Sequence, residues 1–353
     1  MKFCIGGIAL LTALFSVAEP KIAATAAREA LDMCLSVLIP SLFPFFVSAN
    51  VMLRSGMISA AGKRLESVSR GLFGIGRGGA AAIPLGFISG YPAGAIVAAR
   101  LYEAGSISKT EGERLMAFTN NPGPMFILGV IGEGVYGRRE VGWILLISVM
   151  AASVICGICI RKKDNEKQMT VPKNTVSDPM GQAVMASLRL SGFVIFFSVV
   201  SAFLRHLGLI PLIGRVMVQM GMGENTAEMI SAGILEVSVL SKYRGALPAM
   251  AGLLSFGGIS VFLQVWDTAR RAGLSVKYYI AGKFLASGLA ACFCFLLLKL
   301  VPVAVETAKI TGETGVEGMR YGAAFLPSLG ICGIYFLVLR KKRKTALPTC
   351  VKM

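Results

Sequence analysis

The chain is a succession of apolar runs separated by short basic or polar stretches: 3–17, 30–53, 80–99, 115–135, 143–160, 183–204, 227–241, 246–266, 278–300 and 321–339. A helix needs roughly 20 apolar residues to cross a bilayer. The 353 residues therefore hold about eight to ten such segments and leave no room for an added soluble domain. With 55% hydrophobic and 16% charged residues, one aqueous core could not bury this much apolar surface. The pattern predicts an all-α, polytopic transmembrane helical protein, multi-pass in the cell membrane, with the lipid bilayer as its first partner.

The formal net charge is +17. In a soluble protein this would raise nucleic acid as a partner. Here the basic residues fall between the apolar runs, at 54–77, which reads as a basic loop, at Arg161-Lys162-Lys163 and at Arg340-Lys341-Lys342-Arg343-Lys344. That placement follows the retention of Lys and Arg on the cytoplasmic side, and no basic stretch is interleaved with aromatics as single-strand binding requires. No nucleic-acid partner is expected, and the C-terminus is expected in the cytoplasm.

Cys4, Cys34, Cys156, Cys159, Cys292, Cys294 and Cys332 lie in or beside apolar runs, and Cys350 lies in the tail. The Cys156-x-x-Cys159 pair has no second pair, and His206 is the single histidine. No four-ligand metal site is assembled from such spacings, and the cysteines read as small apolar helix residues. Gly74-Ile75-Gly76-Arg77-Gly78-Gly79 matches G-x-G-x-x-G, but no strand precedes it and no βαβ unit surrounds it. It is expected to be a flexible loop. No cofactor is expected. Without a serine–histidine pair, a metal motif or a P-loop, an enzyme is not expected either.

Three runs are interrupted in a way that carries chemistry. Within 80–99 stand Pro84, Gly86, Ser89-Gly90-Tyr91-Pro92 and Gly94, and 115–135 contains Thr119-Asn120-Asn121-Pro122-Gly123-Pro124. In the second half of the chain, Ser255-Phe256-Gly257-Gly258-Ile259-Ser260 interrupts 246–266. Proline removes a backbone donor and glycine weakens a helix. In hydrocarbon such breaks survive only where protein or a water-filled cavity satisfies the backbone. Breaks at corresponding places in two halves point to a transporter's central site, and half-helix N-termini suit anionic or strongly polar ligands. The candidate substrate-binding residues are Ser89, Gly90, Tyr91, Asn120, Asn121, Ser255, Gly257 and Gly258.

Glu236, in the short apolar stretch 227–241, is a carboxylate at a costly depth. With Ser238 it is a candidate to bind a coupling sodium, to carry a coupling proton or to contact substrate. Glu111 and Glu113, in a polar connection, are expected to be solvated or ion-paired. A faint repeat supports two halves: Leu53-Arg54-Ser55-Gly56 against Leu204-Arg205-His206-Leu207-Gly208, and Ala104-Gly105 with Lys109 against Ala272-Gly273 with Lys277.

The segments 86–95 (Gly-Phe-Ile-Ser-Gly-Tyr-Pro-Ala-Gly-Ala), 111–115 (Glu-Gly-Glu-Arg-Leu) and 118–127 (Phe-Thr-Asn-Asn-Pro-Gly-Pro-Met-Phe-Ile) resemble the signature of the YlbJ family of sporulation integral membrane proteins. Leu235-Glu236-Val237-Ser238 is similar to an element of that family's second half. The resemblance runs from about Arg28 to Leu300. It implies nucleoside-recognition or "gate" domains, named for similarity to parts of concentrative nucleoside and ferrous-iron transporters. It also implies movement of dipicolinic acid across the outer forespore membrane during endospore formation.

On this reading the chain divides into an N-terminal membrane helix or signal-anchor at 1–27, a first gate-like half at 28–160 and a polar cytoplasmic linker at 161–181. A second gate-like half with a final membrane helix follows at 182–339, then a basic cytoplasmic tail at 340–353. The first helix reads as uncleaved, although a signal peptide cut after Ala18 shares its pattern. The expected function is a carrier for a small organic anion. A nucleoside carrier of gate-domain type is the nearest alternative, and a non-transporting scaffold that binds a partner is the alternative from another class.

Overall fold

The computed structural model describes residues 2–55, 57–162 and 178–300. The expected final span 321–339, the tail 340–353, most of the linker 161–181, Cys332 and Cys350 lie outside the described residues. Everything described is helix or short connection. In order these are α1 (Lys2–Ala18), α2 (Pro20–Met33), α3 (Ile39–Arg54), α4 (Met57–Phe73), α5 (Arg77–Ala80), α6 (Ala82–Ser89), α7 (Ala93–Glu103) and α8 (Lys109–Thr119). Then come α9 (Arg139–Cys159), α10 (Pro179–His206), α11 (Leu209–Gln219), α12 (Glu224–Gly233), α13 (Leu247–Phe256), α14 (Gly258–Arg271) and α15 (Lys277–Leu300). A π-helical turn, Cys34–Leu38, joins α2 to α3, a longer one covers Phe126–Val135, and a 3-10 turn covers Val237–Lys242.

The all-α polytopic membrane fold is as the sequence indicated. Among the described residues, α9, α10, α15 and the pair Leu247–Arg271 are long and apolar enough to cross a membrane. Two bent pairs, 9–18 with 20–38 and 60–73 with 77–89, raise the total to six if each is one span. This is fewer than the apolar runs alone suggested. The runs 80–99, 115–135 and 227–241 fold as half-length helices around breaks and do not cross as single rods.

Two expectations from the first half are corrected. The stretch 54–77 is no loop, because its residues 57–73 form α4, whose Gly62 packs so tightly on α5 that an added Cβ would lie 2.3 Å from Arg77 O. The glycine-rich segment that follows is not flexible either. Ile75 is fully buried, and the segment is clamped by Glu111, which accepts a hydrogen bond from Gly76 N at 2.7 Å.

Glu111 also completes a capping box at the start of α8 with Ser108, accepting from its N–H at 3.2 Å and donating to its Oγ at 3.1 Å. Glu113 accepts from Ser275 N at 2.9 Å, and buried Arg114 donates to the carbonyls of Phe73, Gly74 and Lys162 at 2.7–2.9 Å. These carboxylates are neither merely solvated nor ion-paired. They satisfy helix-end N–H groups that would otherwise be orphaned.

At the centre, α15 packs against α13, α9 and α8. Its buried Ala281, Gly282, Ala286, Ala290 and Ala291 permit close approach, as small residues do at membrane helix interfaces. The packing is reciprocal between the halves. Helix α8 of the first half lies on α15 of the second, and α13 of the second lies on α9 of the first. The π-helical segment Phe126–Val135 touches the 3-10 turn Val237–Lys242, and α14 touches α7.

Of the repeat signals, Lys109 opens α8, which stops at a break, whereas Lys277 opens the uninterrupted α15. That local likeness therefore precedes two different kinds of element. Outside this centre, α2, α3 and α10 share a second apolar cluster around Cys34, Leu42, Phe46, Leu190 and Val194.

Candidate functional site

Each interrupted run breaks where its sequence is richest in proline and glycine. Helix α6 ends at Ser89, Gly90 adopts φ +82°, and α7 begins after a cis Tyr91–Pro92 bond. Helix α8 stops at Thr119, and 120–123 run without helix before the chain turns helical again. These two breaks lie against each other, since a Cβ added to Gly90 would sit 2.8 Å from Gly123 N.

The second half repeats the arrangement. Helix α12 ends at Gly233, and α13 passes to α14 through Gly257 and Gly258, both with positive φ. Ile259 N donates to Ile234 O at 2.8 Å and Ser260 N to Leu235 O at 3.0 Å. The free N–H groups at the start of α14 thus pair with the carbonyls beyond the end of α12, groups that broken helices leave orphaned. This approach depends on Gly258, whose added Cβ would meet three carbonyls at 3.2–3.3 Å.

Between the two sets of breaks lies a cavity of about 110 Å³. Ser89, Gly90 and Tyr91 line it from the first half, and Glu236 and Ser238 from the second, with Gln264 of α14. Leu42 of α3, Leu190 and Val194 of α10, and Met125 and Phe126 supply apolar walls. Glu236 is 1% exposed. Its Oε1 accepts from Ser238 N at 3.1 Å, and the hydroxyls of Ser238 and Ser260 approach the carboxylate. Its Oε2, with Ser89 Oγ and Gln264 Oε1, makes no hydrogen bond among the described residues. Buried polar atoms are nearly always paired, so three unpaired ones around one cavity mark it as a place for a polar guest.

The other candidate residues lie outside this lining. Asn121 is turned into the protein, donating to Phe118 O at 2.8 Å and accepting from Ser153 Oγ at 2.8 Å. Asn120 donates to Tyr279 Oη at 3.2 Å. Ser255 is fully buried at the end of α13. Gly257 lies behind Tyr91, at 3.5 Å from its ring by an added Cβ, and Gly258 sits on the carbonyls beyond α12.

What gathers Asn120, Asn121 and Ser255 is a residue the sequence reading passed over, Lys283 of α15. Its Nζ donates to Asn120 O, to Ser255 O at 3.0 Å and to Asn121 Oδ1 at 3.5 Å. A lysine in the interior of the apolar run 278–300, away from the Lys299 at its end, was the available signal. Gln264 was also passed over, hidden in a run that ends in charged residues.

Two further cavities adjoin the first along α10. One is lined by Arg100, Glu103, Asp178, Arg189, Asp267 and Arg271, among others, and shares Leu190 and Gln264 with the central cavity. The other is lined by Lys21, Glu29, Arg205, Lys242 and Tyr243, among others, and shares Ser238 with it. From Gly181 to Arg205 one unbroken helix passes all three, spanning about 36 Å at 1.5 Å per residue.

No family model matches the chain, and no solved structure matches it. Among curated proteins it is similar to the sporulation integral membrane protein YlbJ of Bacillus subtilis (strain 168). Identity is 26% over 333 residues, covering 80% of this chain and 79% of that protein. The motifs at 86–95, 111–115 and 118–127 and this long match agree: the chain is an integral membrane protein resembling the YlbJ sporulation proteins.

Proposed function

We propose that the chain is a multi-pass carrier that moves a small organic anion across a membrane, with dipicolinate during endospore formation as its cargo. The observation that supports this most directly is the row of three cavities along α10, with the middle one enclosed by four broken helices. Broken helices around a central site are the arrangement on which alternating access operates. The outer cavity beside Lys21, Arg205 and Lys242 carries one acidic residue, Glu29, against those three basic ones. An anion is drawn to such an entrance. The resemblance to a sporulation membrane protein supplies the cell-biological setting.

In the central cavity the apolar walls cover a planar ring, the Ser89 and Tyr91 hydroxyls can donate to its carboxylates, and Gln264 donates to them by turning its amide nitrogen away from Ser260. Glu236 sets a condition. An ionised carboxylate beside the anion would add a further repelling charge in so small and enclosed a space, so the anion enters when the Glu236 carboxyl carries a proton. Anion and proton then cross together, and rocking of one half against the other exposes the pair to either side.

The test is uptake of labelled dipicolinate and uridine by proteoliposomes, with and without a pH gradient, for the wild type, Gln264→Ala and Glu236→Gln. Dipicolinate uptake that rises with the proton gradient, is lost in Gln264→Ala and loses its gradient dependence in Glu236→Gln supports the proposal. Uridine uptake alone replaces it with a nucleoside carrier, in which Glu236, Ser238 and Gln264 hold ribose and base. No uptake of either by folded protein leaves a scaffold that binds a partner.

A further inference from the structure

Lys283 has no part in the central cavity, yet it is 3% exposed and sits at the junction of both halves. Its contacts are all oxygens: the carbonyl of Asn120 just past the end of α8, the carbonyl of Ser255 at the end of α13, and the side-chain oxygen of Asn121. An ammonium group has three donors and no acceptor capacity, and three oxygen acceptors surround it here. The face of the Tyr279 ring adds a cation–π contact, with Nζ 5.7 Å from its centroid.

Helix C-termini carry partial negative charge and unpaired carbonyls. Two of them, one from each half of the chain, converge on this one point. Ser255 Oγ and Asn120 Oδ1, on the same two residues, make no hydrogen bond among the described residues. Carbonyl, amide and hydroxyl oxygens at two half-helix ends form the donor set that a hard monovalent cation takes.

We propose that the Lys283 ammonium is a tethered cation, occupying what is otherwise a sodium-type site between the ends of α8 and α13. The wild-type protein then needs no free sodium to hold its two halves together. Shortening the side chain uncovers an oxygen-lined site for a free monovalent cation. This is independent of what the central cavity carries, because it concerns ion binding to the folded chain and not flux.

The experiment is thermal unfolding of the detergent-solubilised full chain in sodium, potassium and choline chloride at equal ionic strength, for the wild type, Lys283→Ala and Lys283→Met. The wild type should unfold at one temperature in sodium and choline. Lys283→Ala should unfold earlier in choline and recover saturably with added sodium, by roughly 2–4 °C. Lys283→Met, which refills the space without charge, should unfold early and ignore sodium. Equal response of Lys283→Ala to sodium and choline overturns the proposal. So does a saturable, sodium-specific rise in the wild type, which decides the matter even if Lys283→Ala cannot be recovered from membranes.

Discussion

Arg114 and Glu236 are both charged side chains withdrawn almost wholly from solvent, at 0% and 1% exposure, and the protein treats them in opposite ways. Around Arg114 the fold brings three carbonyls within 2.7–2.9 Å, and neighbouring Glu111 and Glu113 each clamp a backbone N–H from a distant connection. Around Glu236 the fold leaves one carboxylate oxygen, a serine hydroxyl and a glutamine oxygen without partners. The first region spends its charges on holding α4, α5, α8 and the turn before α15 in register. The second leaves hydrogen-bonding capacity unused, as the proposed binding of a transported solute requires. Buried charge alone does not mark a binding site. Several unpaired polar atoms gathered on one cavity do.

Substitutions can break this contrast. Arg114→Met should be the most damaging, because three buried carbonyls lose their donor. The expected cost is on the order of 3–5 kcal/mol, read as loss of monodisperse protein after solubilisation. An Arg114→Met protein that unfolds like the wild type would remove the distinction drawn above. Next comes Gly90→Ala. It forces a positive φ on an L side chain and drives a Cβ into the Gly123 backbone, at about 1–3 kcal/mol, measured as a lower unfolding temperature.

Glu236→Leu should change stability by no more than about 1 kcal/mol, since it removes a carboxylate with an unpaired oxygen, while abolishing uptake. If it unfolds the protein instead, Glu236 belongs with Arg114 as a structural group. Ser89→Ala should alter stability least, within about 0.5 kcal/mol, and should show itself as weaker substrate binding in uptake titrations.

The breaks were legible in the sequence because proline and glycine act on their own local backbone. Glu236 was legible because an isolated carboxylate in an apolar stretch has few structural uses. Which way a side chain faces was not legible. Asn120 and Asn121 stand at a break as expected, yet they turn inward to Tyr279 and Ser153, because neighbouring helices, not the break itself, decide which flank meets the cavity. Helix α4 was hidden since its charges made it read as a loop, although they lie along a helix flank. Lys283 was hidden for the converse reason. Its partners are main-chain carbonyls more than 25 residues away, and carbonyl positions leave no trace in the identity of the residues that own them.

The three cavities along α10 are separated by very little. Gln264 belongs to the central cavity and to one neighbour, and Ser238 to the central cavity and the other. Each partition is therefore only a side chain or two thick. A carrier of the proposed kind with partitions so thin opens by small rotations and not by large swings, and its characteristic failure is leakage. Trimming either partition should make the membrane permeable before it makes the protein idle.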